Sequence, residues 1–183
     1  SKRVALEGSV LRVGDDAHDL AGHDRIVVVG GGKATDGVAS ALESILGDRI
    51  DAGLVVVDEA AGSEGADESP IERVVGGHPV PTKAGVDGTA RAVELVREAG
   101  EKTLVIAAIT GGASALFAAP VDAVGLSALR ETTDALLGAG ADIDEINAVR
   151  KHLSRVKGGR LAAAAAPATV VGIAFSDVVG DDP

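Results

Sequence analysis

Residues Asn147 to Arg160 read NAVRKHLSRVKGGR, a run that holds Arg150, Lys151, Arg155, Lys157 and Arg160 and no acid. The chain around them is acidic, with 28 Asp and Glu against 17 Lys and Arg and a net charge of -11. A local concentration of cations in such a chain points to an anionic ligand. At helical period Ile143, Ile146, Val149, Leu153 and Val156 form an apolar stripe, while Asn147, Arg150, Lys151, Ser154 and Lys157 recur on the other side. The pattern predicts one helix through this segment, packing on one face and presenting donors on the other. Gly158-Gly159 would break it before a second helix over Leu161 to Ala166, whose start would open beside the basic face. The plain alternative is a solvated helix face.

Three further stretches carry chemistry: GGGK at Gly30–Lys33, TGGAS at Thr110–Ser114 and SDVVGDD at Ser176–Asp182. Each follows an apolar run that reads as a strand, and in open α/β sheets ligands collect beyond the carboxyl ends of strands. In GGGK the amides of Gly30, Gly31 and Gly32 could approach a phosphate, with Lys33 supplying a movable charge. It is not a phosphate-binding GxxxxGK[ST] loop, which would need Gly at Val27 and a hydroxyl at Ala34. The dinucleotide pattern GxGxxG is met at Gly30 and Gly32 and fails at Thr35, although Asp58 stands where a ribose-binding acid would sit. In TGGAS, Gly111, Gly112 and Ser114 could hold a phosphate or substrate oxygen; a GxSxG nucleophile elbow fails because Leu116 replaces the second glycine. His78, in GGHPVP, either anchors a rigid loop or touches substrate. Asp177, Asp181 and Asp182 form a hard-oxygen cluster suited to Mg2+ with phosphate oxygens, or else a solvated acidic loop.

The elements that must position these residues follow from composition and pattern. The 183 residues suit one domain, and with 46% apolar but only 1% aromatic residues the core must be Val, Leu, Ile and Ala. Such a core favours parallel strands covered by helices. The absence of Cys excludes disulfides and thiolate chemistry, and the four His lack metal-ligand spacing. Without an apolar run of membrane-spanning length the chain reads as cytoplasmic, and its negative charge argues against general nucleic-acid binding. High Asp with few Lys fits a halophilic host. Strands are predicted at Arg25–Val29, Leu54–Val57, Ile71–Val75, Thr103–Ile109 and Thr169–Phe175, after either a strand pair or one bent strand over Val4–Val13, with Glu7-Gly8-Ser9 as the candidate turn. Asp15 to Asp24 reads as a polar loop. Helices are predicted over Ala34–Leu46, from Thr82 or Lys83 to about Ala99, and over Ala128–Leu137 behind an N-cap at Ser127. Asp142 can cap the basic helix. The alternation predicts a three-layer, Rossmann-like α/β/α sandwich with a mostly parallel sheet.

The segments VVVGGGKA, GGHPVP, TGGASAL, ADIDEINAVRKHLSRVKGGRLA and FSDVVGDDP, in that order, resemble the N-terminal domain of the glycerate 2-kinase family, the MOFRL-associated proteins. The resemblance runs from Val27 to the end of the sequence. It implies the N-terminal lobe of a two-domain protein, with ATP-dependent phosphorylation of D-glycerate to 2-phosphoglycerate in the cleft between the domains and a C-terminal domain that this chain does not include. It also implies that Lys33 works near the transferring phosphate and that this lobe alone would not turn over. The family's SGGGSA loop appears here as TGGASA, so Thr110 and Ala113 depart from it, and Ala113 would not suit a backbone that needs glycine.

Under that resemblance Lys33, Arg150 and Asp177 are the expected catalytic groups. Gly30, Gly31, Gly32, His78, Gly111, Gly112, Ser114, Asn147 and Lys151 are the expected binding groups, and Asp177, Asp181 and Asp182 the metal ligands, with ATP and Mg2+ as cofactors. The family's older label implies the alternative, an NAD(P)H-dependent hydroxypyruvate reductase; a non-catalytic anion-binding module is a third reading. A homodimer stays open.

Overall fold

Runs such as Ile26-Val27-Val28-Val29 have no polar face to offer water, so strands built from them must be covered on both sides. The computed structural model, which describes residues 4–59 and 69–175, meets that demand with a five-stranded parallel sheet. Its strands are β4 (Arg25–Gly31), β5 (Ala52–Val57), β6 (Ile71–Val75), β7 (Thr103–Thr110) and β8 (Thr169–Phe175), in the order β6-β5-β4-β7-β8. Ahead of it β1 (Val4–Glu7), β2 (Val10–Val13) and β3 (Asp16–Asp19) form a small antiparallel sheet. Helices α1 (Thr35–Leu46), α2 (Lys83–Arg97), α3 (Ala113–Leu116), α4 (Gly125–Gly138), α5 (Ile143–His152) and α6 (Arg160–Ala165) complete the described elements.

Side chains alternate across the sheet with a period of two, and both faces are apolar. Ile26, Val28, Val55 and Ile106 pack with Leu42 and Leu46 of α1 and with Leu11 of the small sheet. Val27, Val29, Val56 and Val105 pack with Val93 and Val96 of α2 and with Leu116 and Leu161. The sandwich therefore has the expected helical layers, with the small antiparallel sheet sharing the α1 side. Counting from β4, the chain runs outward through β5 and β6, then returns to the other side of β4 for β7 and β8. The order reverses between β4 and β7, which is where doubly wound sheets open a crevice.

The glycines at the end of β4 are required by the closeness of β7. A Cβ on Gly30 would lie 1.8 Å from the Ala108 carbonyl oxygen, and one on Gly32, at φ +140°, 2.1 Å from Thr110 Oγ1. α1 is tied to the sheet edge by Arg73 of β6, which donates to Asp36 at 3.1 Å and to both oxygens of Glu43 at 2.8 Å.

Local signals placed most helix starts. Thr82 Oγ1 accepts from the Gly85 amide to open α2, and Asp142 with Glu145 forms a reciprocal capping box on α5. Three expectations are corrected. Residues expected as loop form β3, which pairs in register with β2 from Val10–Asp19 to Val13–Asp16. Ser127 lies inside α4, with its hydroxyl bonded to the Glu131 carboxylate at 2.7 Å instead of capping the backbone. The basic segment is also not one helix. α5 stops at His152, and Ile143, assigned to the apolar stripe, is 64% exposed. Tertiary hydrogen bonds end the helix: Arg155 donates its amide to Ala119 O at 2.7 Å, and Val121 donates to Leu153 O at 2.9 Å. Residues 153–159 run as a loop before α6.

Candidate active site

The β4–α1 turn sits at the reversal of strand order and is bonded directly to β7 and its neighbours. Gly32 donates to Val56 O at 3.1 Å, Lys33 to Gly111 O at 2.8 Å, Ala34 to Thr110 Oγ1 at 3.1 Å and Thr35 to Gly32 O at 3.2 Å. The Thr35 and Thr110 hydroxyls meet at 3.1 Å, both buried. Gly30 and Gly31 are ladder residues paired to β5 and β7. In this arrangement the consecutive amides of Gly32, Lys33, Ala34 and Thr35 are therefore engaged by protein acceptors. What the turn presents outward is the Lys33 side chain, which is exposed.

The β7–α3 loop brings the other parts together. At Gly112, φ +83°, an added Cβ would be 3.0 Å from His78 Cδ2 and 3.2 Å from Lys33 Cγ and Cε. Loops from β4, β6 and β7 thus meet over this glycine. Ala113 is the first residue of α3, an ordinary conformation for a residue with a Cβ, so the departure from a family glycine costs nothing here. One residue on, Ser114 Oγ accepts a hydrogen bond from Lys157 Nζ at 2.8 Å. Arg150 and Ser154 line the same small cleft as Ser114 and Lys157.

The loop after α5 is built to hold Lys157 there. Ser154, itself buried, accepts from the amides of Val156 and Lys157 at 3.2 and 3.3 Å. The Arg160 guanidinium covers the open end of α5, donating to Lys151 O and His152 O at 3.0 Å each and also to Ser154 O. Burial lowers the Lys157 pKa below the ordinary lysine value, and the charge of Arg150 lowers it further. Burial alone lowers that of Arg150. Neither cation has an acid partner among the described residues. Two partly desolvated positive charges next to a hydroxyl are chemistry that suits an anion.

Of the residues singled out in the sequence, Lys33, His78, Gly111, Gly112 and Ser114 gather at this crevice, and Arg150 joins through the cleft. Lys151 turns away and lies over Gly158, with its Cγ 3.0 Å from where a Cβ on that glycine would be. Asn147 is exposed on α5. Arg155 pairs with Asp122 at 3.2 Å. Asp177, Asp181 and Asp182 lie outside the described residues, among which no group of three His, Asp or Glu is placed to hold a metal. Lys157 and Ser154 were missed as site residues. Their seven- and four-residue spacing from Arg150 was visible, but a continuous helix would not have brought Lys157 to Ser114.

A family model described as a domain of unknown function, DUF4147, matches residues 2–183. The chain belongs to that family. Within it the chain is 44% identical over 161 residues to the D-glycerate 2-kinase of Thermotoga maritima, covering 86% of this chain and 37% of that protein. It is 43% identical over 159 residues to an Agrobacterium vitis protein provisionally named a hydroxypyruvate reductase, covering 87% and 40%. The crystal structure of the PH0495 protein of Pyrococcus horikoshii superposes with a TM-score of 0.88 at 36% identity, over 98% of this chain and 39% of that one. The resemblance to glycerate 2-kinases is thereby borne out, and with it the Rossmann-like sandwich. The chain spans about two fifths of the length of these relatives. Among the described residues no helix is long and apolar enough to cross a membrane.

Proposed function

We propose that the DUF4147 chain carries the anion-binding part of a glycerate 2-kinase site, for ATP-dependent phosphorylation of D-glycerate to 2-phosphoglycerate. The observation that carries the reading is the Arg150–Lys157 pair, desolvated beside Ser114 without an acid among the described residues. Phosphoryl transfer needs placement and neutralisation of charge more than covalent chemistry. Lys33 serves the transferring phosphate from one side of Gly112. Arg150, Lys157 and the Ser114 hydroxyl hold phosphate or the glycerate carboxylate from the other. Mg2+ would supply charge neutralisation on the phosphates when bound, and Asp177, Asp181 and Asp182 are the candidates to hold it.

The reductase reading is less well supported. A dinucleotide pyrophosphate needs amides at the first βα turn, and there Gly32, Lys33, Ala34 and Thr35 donate within the protein. The test is a chimera in which this chain replaces the matching residues of the Thermotoga maritima enzyme. ATP-dependent formation of 2-phosphoglycerate is expected, and Lys157→Ala should lower its rate about a hundredfold. NAD(P)H oxidation with hydroxypyruvate and no kinase activity would contradict the reading.

A further inference from the structure

The segment after β6, together with α4 and α5, encloses a groove of about 370 Å³, within the size range of small-molecule sites. Its floor is the buried Leu129 and Ile146. Its walls carry Val80, Leu137 and Ile143, which are 55, 59 and 64% exposed. These are three of the five large apolar side chains most exposed among the described residues, so the apolar surface left uncovered is concentrated here. Two polar features give the groove a chemical direction. Arg150 lines it and also lines the cleft of Ser114 and Lys157, so the groove and the anion site share one guanidinium. Asp134 of α4 lies on the wall, exposed and with no hydrogen bond or ion pair among the described residues.

A ligand matching this surface has an anionic end at Arg150, a flat apolar body and hydrogen-bond donors near a carboxylate. We infer that the groove holds the nucleoside of the phosphoryl donor, with its base against Val80, Leu137 and Ile143 and its phosphates leading past Arg150 to the Ser114–Lys157 cleft. A hydroxyl or exocyclic amine of the nucleoside donates to Asp134. The inference rests on the kinase reading and adds to it the part of the chain that tells a nucleotide from bare polyphosphate.

The experiment is calorimetric titration of the Thermotoga maritima chimera with ATP and, separately, with inorganic tripolyphosphate, carrying either the wild-type sequence of this chain or Leu137→Ser combined with Ile143→Ser. Both positions are more than half exposed, so the fold should survive, and thermal melting checks that it does. ATP is expected to bind the wild type more tightly than tripolyphosphate. The double variant should lose about tenfold in ATP affinity while its tripolyphosphate affinity stays level. Equal affinity of the wild type for the two ligands, or an equal loss of both in the variant, overturns the inference and leaves the kinase reading standing. Self-association that the variant abolishes while ATP affinity holds would assign the groove to a second copy and also overturn it. If neither ligand binds, the inference falls together with the kinase reading.

Discussion

Arg73 and Arg150 are two guanidiniums partly sunk into the same domain, and they differ in the acid around them. Arg73, its side chain 13% exposed, meets Asp36 and Glu43. Its pKa is raised, first by the hydrogen bond to Glu43, and Glu43 in turn is held below the usual carboxylate range, first by Arg73. Arg150 and its neighbour Lys157 are shifted the other way by burial, with no acid among the described residues to offset it. A matched cation fastens α1 to the sheet edge. A pair without an acid among the described residues keeps its partial desolvation uncompensated by them, a cost that a bound anion would relieve. Charge alone would not separate the two roles; the sign of each shift does.

The largest effect that would break this comparison is catalytic. In the chimera, Arg150→Ala or Lys157→Met should reduce kcat/KM by about a hundredfold, near 3 kcal/mol, with little loss of melting temperature because neither half-buried cation has an acid partner among the described residues. Steady-state kinetics and calorimetry on the same samples check both halves. Arg73→Met should do the reverse and cost about 2 kcal/mol of stability in urea unfolding, since it strands Glu43 and Asp36, while kcat/KM stays near wild type.

A smaller effect sharpens the contrast through pH. Glu43 has a lowered folded pKa, so its contribution to stability is complete above the ordinary glutamate value of 4.5 and is lost as pH falls through the folded value. Acid melting curves should converge for wild type and Glu43→Gln at low pH and separate above it. Lys157 behaves oppositely as a ligand group. Phosphate affinity should weaken as pH rises through its depressed pKa, below the ordinary 10.5, and Lys157→Arg should remove that fall because a guanidinium stays charged.

Much of this arrangement was legible because it is local. The Val and Ile runs specified buried strands, and Asp142 announced the start of α5 with an acid three residues on. The glycines after β4 and β7 marked the reversal point, yet their reason was hidden: Gly30 and Gly32 yield space to Ala108 and Thr110, and Gly112 to His78 and Lys33, all far from them along the chain. β3, reading DAHD, has no alternating apolar pattern and forms because β2 offers it a ladder. The end of α5 carries no proline or glycine. Ala119 to Val121 draw residues 153–155 out of the helix, and that turn carries Lys157 to Ser114 while Lys151 is left outside. Helical period put Lys151 and Lys157 on one donor face and could not separate them; the end of α5 at His152 does.

Titration of Lys157 by carbon-detected NMR of 13C-labelled lysine shows whether this partly desolvated cation takes an anion. The expected midpoint lies below the ordinary lysine value of 10.5, and it moves upward when inorganic phosphate is added, because the bound anion favours the charged form. A midpoint at the ordinary value of 10.5, unmoved by phosphate, would mean that Lys157 holds no anion.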